Sequence, residues 1–200
     1  MKLNRFTFFS GLIFVSLLLI SGCSTTTTNS PEEVGLVLSE ENFAFYDADD
    51  FRIQYPVNWK VMRKDQLNAK YAQSAEVAFV SNFKDMFFTP VIVVEKIAIP
   101  EQKSVEDFAE ESLATTKASL VSFEELERQT VSTSISNVVT TTKLLRFTAK
   151  EKLQDDTLEY LQTYLVKNAN GYVVTAVYDP TNENSETTKI VDSLRTFKLK

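Results

Sequence analysis

Side chains able to do chemistry are scarce in this chain, and the scarcity is informative. Among its 200 residues there is no histidine and a single cysteine, Cys23. Without imidazole there can be no Ser-His-Asp or Cys-His catalysis, no His-ligated zinc and no haem held through histidine. The four glycines are Gly11, Gly22, Gly35 and Gly171, so no phosphate-cradling loop exists in the later part. Carboxylates remain. Asp47, Asp49 and Asp50 alternate like the start of a calcium loop, which makes them the candidate metal ligands. Yet the loop glycine is missing, and Asn58 stands where the bidentate glutamate would be. The plainer reading is a solvated hairpin turn. Asp155 and Asp156 are a second loop pair of the same kind. A hydrolase working through carboxylates alone would need an acid pair ~5–10 Å apart, and no motif signals one. No cofactor is expected.

Cys23 is explained by its surroundings. Lys2 and Arg5 precede an apolar run from Phe6 to Ile20. Fifteen helical residues rise roughly 22 Å, short of the ~30 Å hydrocarbon core. A basic start, a short apolar stretch and small residues at its end describe an export signal rather than a stable span. The tetrad Ile20-Ser21-Gly22-Cys23 resembles the bacterial lipobox. That resemblance implies a diacylglyceryl group on the thiol, followed by cleavage before Cys23. Several fatty-acyl (palmitate-type) chains on one cysteine anchor stably to a bilayer, whereas one chain does so only marginally. Residues 1–22 are then the signal peptide. Residues 23–40, with Thr25 to Thr28 in a row, are a polar tether that cannot bury enough apolar surface to order itself. Ser24 rather than aspartate after the cysteine resembles the pattern sent to the outer membrane in a two-membrane host. The expected location is extracytoplasmic, lipid-anchored to a membrane.

Residues 41–200 are long enough for one domain with its own core. Losing Met1 to Gly22 removes Lys2 and Arg5 and no acid, so the net charge moves from −6 to −8. A chain this acidic lacks the electrostatic footprint of a nucleic-acid binder. The partners expected are the bilayer, through acylated Cys23, and a membrane or extracytoplasmic protein.

Phe51, Ile53 and Tyr55 alternate with Arg52 and Gln54, the period of a half-buried strand. Phe43 to Tyr46 is its hairpin partner across the aspartates, and Pro56 ends it. Lys64 to Ala72 reads as a short helix. Ala75 to Ser81 and Pro90 to Ile99 read as strands, the second apolar enough to be central. Ser104 caps the clearest helix, with Asp107 three residues on and Phe108, Leu113 and Leu120 at helical spacing. Strands follow at Phe123 to Ser132, Val138 to Ala149, Leu158 to Lys167 and Tyr172 to Tyr178. Asn168 to Gly171 make a hairpin turn. Asn184 or Ser185 caps a last helix. About seven strands joined by hairpins, with one central and one final helix, predict an α+β fold: an antiparallel sheet sandwiched between helices, a helix–sheet–helix layering.

The stretch "DDFRIQYPVNWKV", with Phe51, Tyr55, Pro56 and Trp59, resembles the opening strand and turn of the PsbP-like domain. "KSVEDFAEESL" is similar to the helix that follows that family's central strand, and "IVDSLRTFKL", with Ser193 and Phe197, to its closing helix and strand. The resemblance runs from about Phe43 to Leu199. It implies a sheet between helices. Plant and cyanobacterial members are extrinsic proteins of photosystem II, and a eukaryotic relative binds a small GTPase. It therefore implies binding to protein surfaces, without common catalysis. A role as an extrinsic photosystem II factor is the alternative in a photosynthetic host. Two departures weigh against it: the lack of histidine, and Val57-Asn58 where the family's turn commonly has a glycine.

Two aromatic features are candidate binding surfaces. Tyr55 and Trp59 could form an exposed platform, or the tryptophan could pack across the sheet edge and fix the turn. In "FKDMFF", Met86, Phe87 and Phe88 crowd an expected loop. They suit either a contact surface or a satellite cluster tucked under a helix.

Overall fold

A computed structural model describes residues 36–67, 73–82, 88–182 and 185–200. The signal and lipobox (Ile20, Ser21, Gly22, Cys23), the tether up to residue 35, Met86, Phe87 and Asn184 lie outside the described residues. So does the second half of the expected Lys64–Ala72 helix, whose described start is a single 3-10 turn, Lys64–Gln66.

Ten strands and two α-helices follow in the order β1 (Phe43–Asp47), β2 (Phe51–Pro56), β3 (Lys60–Arg63), β4 (Ala75–Val80), β5 (Val91–Ala98), α1 (Val105–Ser119), β6 (Val121–Ile135), β7 (Val138–Lys150), β8 (Leu158–Lys167), β9 (Asn170–Tyr178), α2 (Ser185–Arg195) and β10 (Lys198–Leu199). They make a single sheet in the order β1-β2-β10-β6-β7-β8-β9-β5-β4-β3. The hairpin β1–β2 forms as its alternation predicts, with Tyr46 opposite Ile53. Ser104 caps α1, accepting from the Asp107 amide at 3.0 Å while its hydroxyl donates to the Asp107 carboxylate.

Three expectations need correction. The sheet is mixed, because the two-residue β10 runs parallel to β6 at Leu199 and Ile135. The most deeply covered strand is β8, with eight buried residues in succession, rather than β5, which lies two places from the β3 edge. Nor is the sheet a flat layer between helical layers. It curls, so that β2 meets β4 although six other strands separate them in sheet order. The Tyr55 and Phe79 rings stack at 4.7 Å, and Tyr46 meets Phe79 edge-on at 5.4 Å.

The pleat sorts the core into two sides. Inside the curl, Phe51, Ile53, Val77, Phe79, Tyr172, Val174 and Ala176 pack with Ile190 and Leu194 of α2. On the other face, Leu145, Phe147, Tyr160 and Val177 pack with Leu113 of α1, while Tyr164 and Val173 pack with Phe108. Each helix covers one face, and each buries the stripe that its apolar spacing provides.

The Asn168–Gly171 turn is tighter than expected. Asn168 takes the left-handed conformation (φ 53°), but Gly171 is already inside β9, opposite Val166 and Ile97. Its lack of a side chain serves packing instead: a Cβ there would come within 2.3 Å of the Phe108 ring.

Candidate functional site

The hairpin aspartates do not converge on a metal. Asp47 lies 3.1 Å from Arg52 and 2.5 Å from the Lys200 ammonium. Asp50 pairs with Lys96 and accepts the Tyr172 hydroxyl at 2.6 Å, while its backbone carbonyl accepts from the Lys200 amide. Partial burial alone would raise both carboxyls; the bonds to Lys200 and Arg52, and to Lys96 and Tyr172, overcome it and hold both below the usual range. Asp49 is exposed. Among the described residues, no three His, Cys, Asp or Glu side chains gather to hold a metal. The aspartates clasp instead. Asp50 ties the β1–β2 turn to β5 and β9, and so helps to hold the curl.

Trp59 is only 5 % exposed and belongs to the inner core, so it offers no surface ring. The platform reading fails for it because its ring belongs to the inner cluster with Phe51, Ile53 and Phe79. Tyr55 is half-buried and lines a groove of about 500 Å³ with Phe45, Tyr46, Val61, Arg63 and Gln66. This groove joins the two edge strands, β1 and β3. Phe88 is half-buried and packs against the α1-side cluster, the tucked arrangement of the two considered.

The polar centre of the molecule lies elsewhere. Arg146 of β7, Glu159 of β8 and Tyr178 of β9 share the α2 side of adjacent strands. Glu159 is 3 % exposed. Its Oε1 accepts from the Arg146 Nε and from the Tyr178 hydroxyl, and its Oε2 accepts a second Arg146 nitrogen at 3.1 Å. The Glu159 fork pushes Arg146 further up its already basic range, against a smaller opposing effect of burial. Burial, and then the bond to Glu159, raises the Tyr178 phenol. Beside them opens a cleft of about 380 Å³ between α2 and β6–β7, walled by Glu127, Gln129, Thr187, Thr188, Val191 and Arg195. The Arg195 Nε is buried in the fold without a hydrogen-bond partner.

In chemical terms this cleft can hold but is poorly equipped to react. Three hydrogen bonds engage both oxygens of its buried carboxylate, which leaves Glu159 at most one acceptor site, on Oε2, for a substrate proton. The sequence carried one signal for it: Glu159 is the only charged residue from Leu158 to Val166, and a lone acid in such a run needs a buried cation.

A second buried acid is Glu95 of β5. Its carboxyl lies deeper than the residue as a whole, which keeps some exposed surface, and it accepts from the Ser74 hydroxyl at 2.7 Å. Burial raises its pKa and the Ser74 bond offsets only part of that. A raised folded pKa means that the folded state binds more protons than the unfolded one. The favourable contribution is present below the ordinary glutamate value and is lost as pH rises through the folded value. Glu95→Gln is therefore expected to stabilise the domain at pH 7 by on the order of 1 kcal/mol, or roughly 2–4 °C in Tm. The gain should vanish near about pH 4, where the wild-type group is also uncharged; thermal melts at the two pH values check this.

Curl, helices and cleft together define a class, an α+β domain of the PsbP-like fold whose main polar site is held by structural hydrogen bonds. The comparisons agree on the fold. The chain is similar to the solution structure of cyanobacterial PsbP from Synechocystis sp. PCC 6803, with a TM-score of 0.57 at 11% identity over 86% of this chain and 98% of that one. It is also similar to a Pseudomonas aeruginosa protein of unknown function described as a candidate regulator, with a TM-score of 0.50 at 12% identity over 78% of this chain and 95% of that one. No family model matches the chain, and no curated protein does.

Proposed function

We propose that this protein is a lipid-anchored, extracytoplasmic, non-enzymatic module that binds another protein, with acylated Cys23 as its anchor and the PsbP-like domain as its binding part. The observation that carries the non-enzymatic reading is the engagement of both Glu159 oxygens by Arg146 and Tyr178. The most buried carboxylate among the described residues is held by structural hydrogen bonds, which favours surfaces rather than a reactive group as the means of action. The anchor rests on the Ile20-Ser21-Gly22-Cys23 tetrad. The likeness to cyanobacterial PsbP favours one narrower reading, an extrinsic photosystem II assembly or stability factor, in a photosynthetic host. A carboxylate-only hydrolase is the competing class, and the engaged Glu159 weighs against it.

The test is crosslinking in intact cells that carry a tagged copy, beside a Cys23→Ala copy, with an alkynyl fatty acid supplied as label. The wild-type chain should take up the label, sediment with membranes and enrich one dominant protein. The Cys23→Ala chain should lose the label and most of that protein. A wild-type chain without label would overturn the anchor, and an anchored chain that enriches nothing would overturn the binding role.

A further inference from the structure

We propose that the partner docks by adding an extended, lysine- or arginine-bearing segment as a further strand on the open edge of β6, along Glu127–Ser132. The proposal rests on the binding-module reading and specifies where and how that binding occurs. β6 pairs with β7 along its length, but β10 touches its other side only at Ile135. Among the described strands, none lies against that edge from Val121 to Ser134, roughly 45 Å of extended chain. Open edges of ordinary domains are kept far shorter, because unpaired N–H and C=O groups template further strands.

Register and burial narrow the docking length. Bulges between Val121 and Glu124, and between Glu125 and Glu127, distort the first part of β6, while the register from Glu127 onward is regular. Thr133 and Ser134 are buried against the chain end, Thr133 donating its hydroxyl to the Phe197 carbonyl. What remains, Glu127 to Ser132, has the length of a normal strand. Its Glu127 and Gln129 side chains line the cleft beside α2, which gives room for alternate side chains of an added strand.

Charge selects the occupant. Glu124, Glu125 and Glu127 stand on β6 against one base, Arg128, which Glu125 and Glu110 already hold. Along α1 stand Glu106, Asp107, Glu110 and Glu111; its own Lys117 pairs with Glu125, and Lys103 just before it pairs with Glu111. A second copy of this chain would set glutamate against glutamate across the new ladder. A basic segment gains from the same groups. Arg195 in the cleft wall places its bases on the α1 side of the strand, with uncharged residues facing the cleft.

The test uses the full chain in detergent and three eight-residue probes: alternating Lys/Val, its fully N-methylated counterpart and alternating Glu/Val. The Lys/Val peptide should bind at least tenfold more tightly than either of the others, and a Glu110→Lys/Glu125→Lys chain, changed on the α1 side, should reverse the order of the two charged peptides. Equal binding of the N-methylated peptide would overturn strand addition, because it keeps the charge and loses the backbone donors. No binding of Lys/Val would overturn the proposal outright. In cells, a photocrosslinker at Thr130 should capture the partner. A partner found only from positions remote from β6 would overturn the docking site and leave the binding role standing, whereas the absence of any partner would remove both.

Discussion

Replacing Arg146 with methionine lowers the stability of the domain by about 3 kcal/mol at neutral pH. The cost comes less from the arginine than from what it leaves behind. Glu159 is buried and keeps only the Tyr178 hydroxyl once the guanidinium is gone. Breaking a buried pair by removing one partner costs ~3–5 kcal/mol. The lower end applies here because the Arg146 side chain is 37% exposed, so water already reaches that half of the pair. The reverse change is gentler. Glu159→Leu leaves a guanidinium able to turn toward solvent, and about 1–2 kcal/mol is expected, chiefly for the orphaned Tyr178 hydroxyl. The double variant Arg146→Met/Glu159→Leu should recover much of the loss, since an apolar pair of similar volume substitutes well for a buried ion pair. Denaturant midpoints of the four proteins test this directly. A single Arg146→Met variant as stable as wild type would mean that Glu159 is hydrated and that the cleft carries a free carboxylate after all.

Much of this architecture was legible in the sequence, and the parts that were not share a cause. β1, β2, β8 and β9 carry apolar alternation or an apolar run, and α1 carries both a cap and a stripe. β3 and β10 are too short to show a period, and β10 finds its place only after α2 returns the chain to β6. The sequence pattern marks β6 from Phe123 to Ser132, whereas the strand runs from Val121 to Ile135. Its exposed "EELERQ" gives no buried face from which a boundary could be read. The curl is a still longer-range fact: Tyr55 meets Phe79 only when the sheet has bent round, and no local pattern states how far a sheet bends. The same holds for the sites. Trp59 stands in a stretch that reads as a turn, and its burial depends on the sheet closing over it. Arg146 and Glu159 are separated by a loop, and the register of β7 against β8 brings them together. The aspartates at 47, 49 and 50 were visible as acids, but the lysines that hold Asp50 and Asp47, Lys96 of β5 and Lys200 after β10, come from far along the chain.

Gly171→Ala is the second large effect, with an expected loss of about 1–3 kcal/mol. On intrinsic grounds the sign should be opposite, since a strand-interior glycine is more costly than alanine in chain entropy. Packing decides otherwise. A Cβ on Gly171 would lie 2.3, 2.4 and 2.8 Å from three carbons of the Phe108 ring. That ring is itself 3 % exposed and meets Tyr164 edge-on at 6.4 Å, with Val173 in the same cluster, so it has no free direction in which to move. The strain should fall on the seating of α1 against β8 and β9. Phe108→Leu alone opens a small cavity and is expected to cost about 1–2 kcal/mol. Combined with Gly171→Ala it should cost less than the sum, because the shorter side chain leaves the space that the new methyl needs. An unchanged or raised melting temperature for Gly171→Ala would show that Phe108 swings away freely. Seating also reaches the surface. α1 carries Glu110, which holds Arg128 of β6, so a helix displaced by the new methyl carries part of the acidic rim away from the open edge. Gly171→Ala should then weaken binding of the Lys/Val peptide, and Phe108→Leu in the same chain should restore part of it, which couples the packing of one glycine to the recognition of a partner.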